Sequence, residues 1–354
     1  MTIAEKEKKI KISEKKLLEY IKAKSSYEKT LYLDLGVKVI RLVCYSEQFI
    51  PHIQKQFTYT LLESSPKYDA TIILWHEPEL DKIYNHKQLF QFVSETEIQD
   101  GLYDFVVYDT NMRMYVPATD TYYHGVKSLE AEEFVKDGHA FVQVLYKILK
   151  TKNSNLVHGA CVGIDNKGVL FCARGQRGKS TLSVLSLLSG FEYVSDDYLT
   201  LEKDGENLYA YPIYSIITLS PRMYNEMYDK LEGTRFVSNN VRKDKYVLNI
   251  ANLHNQFRKR YPVKLCMYPE IVSDDEPSIC ECNQQEKGQA ITHLVHSTIM
   301  QMLDVYNPKT MKKLIDMVNP FKFYKIYLCN NIYKNTDCLK QFLEEYKNDQ
   351  LHVE

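Results

Sequence analysis

Tryptophan occurs once and glycine only 13 times in 354 residues, and no apolar run is long. The longest, such as Leu182 to Leu188, are short or broken by polar residues, well under the roughly 18 that a membrane span needs. An excess of charge of one sign is also missing. Lys+Arg number 45 and Asp+Glu 46, a formal net charge of -1, so no chain-wide electrostatic footprint for nucleic acid exists. The eight cysteines contain no Cys-x-x-Cys pair, which in a chain this long reads as reduced thiols and not as a disulfide framework. Residues 1–16 are charged with no apolar core, so no signal peptide is expected and the expected location is cytoplasmic. A hydrophobic content of 44% excludes disorder as the dominant state.

The length suggests two domains. Residues 1–30 read as a charged helix or a solvated basic arm, the arm being preferred. Residues 31–152 read as an N-terminal α/β accessory domain. Strands are expected within 31–45, 68–77, 103–109 and 112–118, a helix over 47–63, and an amphipathic helix over 132–151. From 153 to 354 the pattern changes to a hairpin of 156–164 with 169–173, a helix ending at Gly190, and a strand over 191–202. Short strands follow around 208–219, then 246–250, 263–271 and 323–329, with helices at 288–306, 308–318 and 336–347.

Glycine, so scarce overall, crowds into this second part: Gly159, Gly163, Gly168, Gly175, Gly178 and Gly190. Clustered glycine marks backbone that needs positive φ or close approach. Within the cluster lies Ala173-Arg174-Gly175-Gln176-Arg177-Gly178-Lys179-Ser180-Thr181, a phosphate-binding loop of the form G-x-x-x-x-G-K-[ST] with Ala for the first Gly. A strand precedes it and a helix begins at its end, so backbone N–H groups and the helix dipole favour an anion there. Residues 174–181 are the candidate nucleotide-binding residues. Lys179 would neutralise the β- and γ-phosphates, and the Ser180 hydroxyl would ligate Mg²⁺.

Asp196-Asp197 follows Lys179 closely, at the end of the next expected strand. A strand returning to the loop would bring the pair beside the phosphates, one carboxylate facing a metal and the other an acceptor. His158-Gly159, on the preceding hairpin, would bring an imidazole near the γ-phosphate if that hairpin packs beside the loop.

The run from Leu156 to Leu201 (His-Gly, hairpin, phosphate loop, helix ending in Gly, strand closing on Asp-Asp) resembles the core of bacterial HPr kinase/phosphorylase and its kinase-like relatives. His158, Gly178, Lys179, Ser180, Asp196 and Asp197 match that pattern in order and spacing. The resemblance implies an α/β fold akin to phosphoenolpyruvate carboxykinase, with ATP or another nucleotide and Mg²⁺ as cofactors, and phosphoryl transfer to a hydroxyl. One Asp would be the general base. Asp197 is preferred for that role and Asp196, with Ser180, for the metal, the reverse assignment staying open. His158 would lie near the transferred phosphate. Arg174 and Ala173 depart from the family's usual Ser and Gly, and no segment for dephosphorylating HPr is found. A kinase without phosphorylase activity is therefore expected. Its acceptor would be a Ser or Thr of a peptide or protein, such as a natural-product precursor peptide, or else a small-molecule alcohol. A non-catalytic nucleotide-binding switch and a simple hydrolase are the alternatives. No nucleic-acid or membrane partner is expected, and a homo-oligomer stays open.

Other features carry blander expectations. Arg242, Lys243 and Lys245 read as exposed loop charges that could otherwise reach the phosphates. His293 and His296 share a helix face without completing a metal set, and Cys280-x-Cys282 lacks partners. Tyr103, Tyr108, Tyr115, Tyr122 and Tyr123 read as packing residues more than as a peptide groove.

Overall fold

The structure, a computed structural model, describes residues 3–79, 97–99, 104–107, 111–128, 138–173, 175, 177–231, 235–240, 245–302 and 307–346. The chain is a mixed α/β protein that divides into two compact units. One comprises Met1–Asp34 and Lys38–Val144, the other Leu35–Val37 and Leu145–Glu354.

In the first unit, helix α1 (Ile3–Lys24) precedes strands β1 (Lys29–Asp34) and β2 (Val39–Cys44). Next come α2 (Ile50–Gln56), β3 (Leu61–Leu62), β4 (Ala70–His76), β5 (Glu97–Gln99), β6 (Asp104–Val107), β7 (Asn111–Val116) and β8 (Thr121–Val126). These strands form one eight-stranded sheet in the order β3-β1-β2-β4-β8-β7-β6-β5. Pro51 falls inside the first turn of α2, where its missing N–H costs nothing. The helix expected over 47–63 thus shrinks to α2, and the chain returns as β3. Strand β8 was not anticipated. It pairs in parallel with β4 and antiparallel with β7, burying Tyr122 and Tyr123. Tyr115 is buried too, which suits packing, while Tyr103 and Tyr108 lie outside the described residues.

The preference for a solvated arm at the N-terminus needs correcting. Leu17 and Ile21 of α1 are fully buried, and the helix is tied down by hydrogen bonds from Tyr123 to Glu14 (3.4 Å) and from Tyr20 to Glu77 (2.8 Å). Its weak amphipathicity arises because a narrow stripe suffices to seat it.

Of the amphipathic helix expected over 132–151, residues 132–137 lie outside the described residues and residues 138–141 form a bend and turn with Phe141 at φ 62°, so the helix is shortened to α3 (Val142–Leu149). It leads into β9 (Ser154–His158), β10 (Ala160–Ile164), β11 (Lys167–Phe171), α4 (Lys179–Leu188), β12 (Glu192–Ser195), β13 (Tyr198–Asp204), β14 (Asn207–Pro212) and β15 (Ile216–Leu219). There follow α5 (Pro221–Glu226), α6 (Tyr228–Leu231), β16 (Arg235–Asn240), β17 (Lys245–Asn249), β18 (Tyr261–Ile271), β19 (Ser278–Glu281), α7 (Gln284–Met302), α8 (Pro308–Val318), β20 (Lys322–Leu328) and α9 (Ile332–Glu345). The main sheet runs β12-β10-β11-β18-β14-β13-β9, with β20 on the second half of β18 and β19 on β20; β15-β17-β16 form a separate small sheet. Side chains alternate along β11: Val169 and Phe171 enter one buried cluster with α4 and α9, Leu170 and Cys172 another with α7 and α8. The sheet is therefore covered on both faces, and the apolar run that reads as a strand is one. Burying a side chain such as Phe171 contributes about 1.5–3 kcal/mol.

Two expected strands are each broken in two. Residues 156–164 divide at Gly159 into β9 and β10, and residues 191–202 divide at Asp196-Asp197 into β12 and β13. β9 pairs with β13 and β10 with β12, both antiparallel. The two breaks face each other, and the Gly159 N–H donates to the Asp197 carbonyl at 3.0 Å. The hairpin expectation therefore holds for β10 and β11 alone, closed by Asp165 and Asn166 at positive φ (50° and 61°), while His158 belongs to a different strand pair.

Candidate active site

Phe171 ends β11, and α4 begins at Lys179. Gly178 caps that helix at φ 88°, and a Cβ there would lie 2.6 Å from Leu328 Cδ1, so only glycine fits. Ala173, by contrast, is not among the residues at positive φ, so the Ala at the motif's first position strains nothing. It is fully buried, and its carbonyl accepts a hydrogen bond from Lys179 Nζ at 2.7 Å. Lys179 opens α4 and is buried, and burial pulls its pKa down while Asp197 and Asp196 pull it back up. Ser180 and Thr181 are half-buried on the first turn, and Gly175 and Arg177 are exposed. Arg174 and Gln176 lie outside the described residues.

The break between β12 and β13 brings the acidic pair to this helix start. Asp196 is 1% exposed, and neither of its carboxylate oxygens completes a hydrogen bond, although the Ser180 hydroxyl approaches and favours its charged form. Its pKa is raised, first by burial and then by the neighbouring Asp197, against the pull of Lys245 and Lys179. An orphaned buried carboxylate beside a hydroxyl is an arrangement that a divalent cation would complete. Among the described residues no group of three or more His, Cys, Asp or Glu side chains is gathered. Two protein ligands suit Mg²⁺, which keeps waters and phosphate oxygens in its shell.

Asp197 is the more open member. Its Oδ1 lies 3.7 Å from His158 Nε2, and its Oδ2 accepts from Thr218 Oγ1 at 3.3 Å. Thr218 Oγ1 in turn accepts from Lys245 Nζ at 3.5 Å. Lys245 is thus half-buried at the site and not an exposed loop charge, because β17 pairs with β15, which carries Thr218. Arg242 and Lys243 lie outside the described residues.

His158 is held on its far side by helix α7. Its backbone N–H donates to Thr298 Oγ1 at 2.9 Å, and Gln301 Nε2 is 3.3 Å from its Nδ1. Gln301 Oε1 accepts from the hydroxyl of Tyr198, the strand partner of His158, whose ring centroid lies 5.3 Å from the imidazole. With the amide nitrogen donating to Nδ1, the ring proton sits on Nε2, facing Asp197. Gln301, Tyr198, Thr218 and Thr298 were not singled out in the sequence. The available signal was Thr298, the polar member among the buried positions of α7, with Gln301 three residues further along the helix. On the same helix His293 stacks on Tyr268 and His296 is exposed. The eight cysteines are free thiols.

No known family description matches the chain, and no curated protein matches it. Among solved structures, the HPr(Ser) kinase/phosphatase from Coxiella burnetii is similar to it at 13% sequence identity and a TM-score of 0.28. The match covers 53% of this chain and 95% of that one. Among the described residues, no helix is long and apolar enough to cross a membrane.

Proposed function

We propose that the second unit is a kinase that transfers the γ-phosphate of ATP or a related nucleotide to a hydroxyl, with a Ser or Thr of a peptide or protein as acceptor. The observation that carries this reading is the meeting of Asp196 and Asp197 with Lys179 and Ser180 at the start of α4. Binding alone needs the helix start and Lys179. A second carboxylate, more exposed than the first and aligned by His158 and Thr218, is what transfer to a hydroxyl adds.

Several residues then share the work. The N-terminus of α4 and Lys179 hold the phosphates and offset the charge that builds on them. Asp196 and Ser180 would hold Mg²⁺, which would supply neutralisation of phosphate charge when bound. Asp197 accepts the acceptor's hydroxyl proton as that oxygen bonds to the γ-phosphorus, while the bond from that phosphorus to the β-bridging oxygen breaks and nucleoside diphosphate leaves. The His158 ring, 3.7 Å from Asp197 Oδ1, faces that carboxylate and would bias its orientation electrostatically. Such transfer depends mostly on positioning and charge.

The test uses γ-labelled ATP, Mg²⁺ and a set of Ser- and Thr-containing peptides, with Lys179→Ala as control. Label passing to a peptide hydroxyl, and lost in the variant, supports the proposal. Tight nucleotide binding without transfer to any peptide or small alcohol would overturn it in favour of a switch.

A further inference from the structure

A second concave site lies in the same unit, away from the phosphate loop. It is a pocket of about 340 Å³ walled by Lys152, Lys203, Lys309, Lys312 and Lys313, with Asp316 the one acidic side chain among its lining residues. The lysines come from three places: the turn before β9, the far end of β13, and helix α8. Lys312 is matched by Asp316 at 2.5 Å, and Lys313 donates to the Thr151 and Ser154 carbonyls and to Asn155 Oδ1. Those contacts fasten α8 to the start of β9 and leave the charge of Lys313 without a carboxylate. Lys152, Lys203 and Lys309 are exposed, and among the described residues none pairs with an acidic side chain. Like charges this close repel one another. In a chain whose overall charge is -1, the concentration is local and makes this pocket a patch of positive potential.

We propose that this pocket docks an acidic stretch of a polypeptide partner, one carrying several Asp or Glu residues. The chemistry of the walls favours a polypeptide over a small phosphorylated ligand. Among the described residues no arginine lines the pocket, so the planar fork that grips a phosphate bidentately is missing there, and long flexible lysines supply separated point charges instead. Spread over three chain segments, those charges suit carboxylates distributed along a chain. Lysine stems and the Met317 side chain give the intervening backbone an apolar floor. The pocket and His158 lie at opposite ends of the β9–β13 pair, since Ser154 pairs with Glu202 and His158 with Tyr198. At about 3.3 Å per residue the separation is roughly 20 Å from Lys152 to His158. Docking is therefore independent of phosphoryl transfer and stands or falls separately from it.

The measurement is fluorescence anisotropy of a labelled twelve-residue peptide bearing six Glu residues, beside its Gln counterpart, on the full chain. The Glu peptide binds, its affinity falls with added salt, and Lys203→Glu/Lys309→Glu weakens it by about tenfold or more. A control reversal at exposed sites elsewhere, Lys259→Glu/Lys340→Glu, leaves binding within about twofold, as screened distant charges should. Thermal unfolding of each variant, and the milder Lys203→Ala/Lys309→Ala pair, separate lost docking from lost folding. Equal binding of the Gln peptide, or equal loss in the control reversal, overturns the proposal. So does inorganic pyrophosphate binding the pocket more tightly than the Glu peptide, which would make it a small-anion site.

Discussion

His158 Nε2 stands 3.7 Å from Asp197 Oδ1, with His158 ending β9 and Asp197 lying in the break between β12 and β13. The backbone repeats the relationship: the residue after His158 donates its N–H to the Asp197 carbonyl. On its other side Asp197 Oδ2 accepts a hydrogen bond from Thr218 Oγ1 at 3.3 Å. Asp196, in the same break, is buried, and neither carboxylate oxygen completes a hydrogen bond.

If Asp197 is the base, Asp197→Asn lowers the transfer rate by about 10²–10⁴-fold while nucleotide affinity stays within about threefold. Equilibrium binding of a fluorescent nucleotide, run beside single-turnover transfer, reads both quantities. Equal loss of binding and transfer would assign Asp197 to the nucleotide instead.

If His158 acts near the transferred phosphate, Gln301, 3.3 Å from its Nδ1, is a positioning residue. Gln301→Leu should lower kcat by about tenfold with KM for nucleotide unchanged, and it should displace the pH profile of kcat, because the imidazole loses the donor that fixes its tautomer. Gln301→Glu, which replaces that donor by an acceptor, should move the profile further. An unchanged pH profile in both variants would reduce Gln301 to a packing role.

Gly178→Ala forces an alanine to φ 88° and drives its Cβ against Leu328 Cδ1. The expected loss of stability is about 1–3 kcal/mol from the backbone alone, read by chemical denaturation. Adding Leu328→Ala removes the collision and leaves the backbone strain, so the double variant should regain part of the loss beyond what two independent changes would give.

Glu14 of α1 has its pKa raised, chiefly by burial and against the hydrogen bonds from Tyr123 and Thr119. The native state therefore holds this proton to higher pH than the unfolded chain. The associated stability is present below the ordinary Glu pKa and is lost as pH rises through the folded value. Glu14→Gln keeps an acceptor for both hydroxyls and removes the titration. Stability should then decline less steeply across the mildly acidic range than in the unchanged chain, as followed by urea denaturation at stepped pH. Identical slopes would return α1 to the solvated arm that its composition suggests.

Much of the second unit was legible because its signals are local. The Asp165-Asn166 turn, the apolar alternation of β11 and the Gly-Lys-Ser-Thr helix start each occupy a few neighbouring residues. The breaks at Gly159 and Asp196-Asp197 were not legible, since the flanking residues keep strand composition and only the pairing of four separate segments shows where each must bend. The same holds for Lys245 and Gln301. Each reaches the site through a neighbour, Thr218 or Tyr198, that is remote in sequence. Helix α1 misled because its charge count outweighed a narrow apolar stripe of which Leu17 and Ile21 are the buried members.

The facing breaks at Gly159 and Asp197 limit where the chain can change length. One residue added within β12 would move every following side chain to the opposite face and slide Asp197 past His158 by about 3.3 Å. The Asp165-Asn166 turn and the turn at Gly205 lie beyond the paired strands, so loops grafted there leave the alignment of the break untouched. Relatives that keep this chemistry should therefore vary in length at those two turns and hold the spans from His158 to Ile164 and from Glu192 to Tyr198 constant.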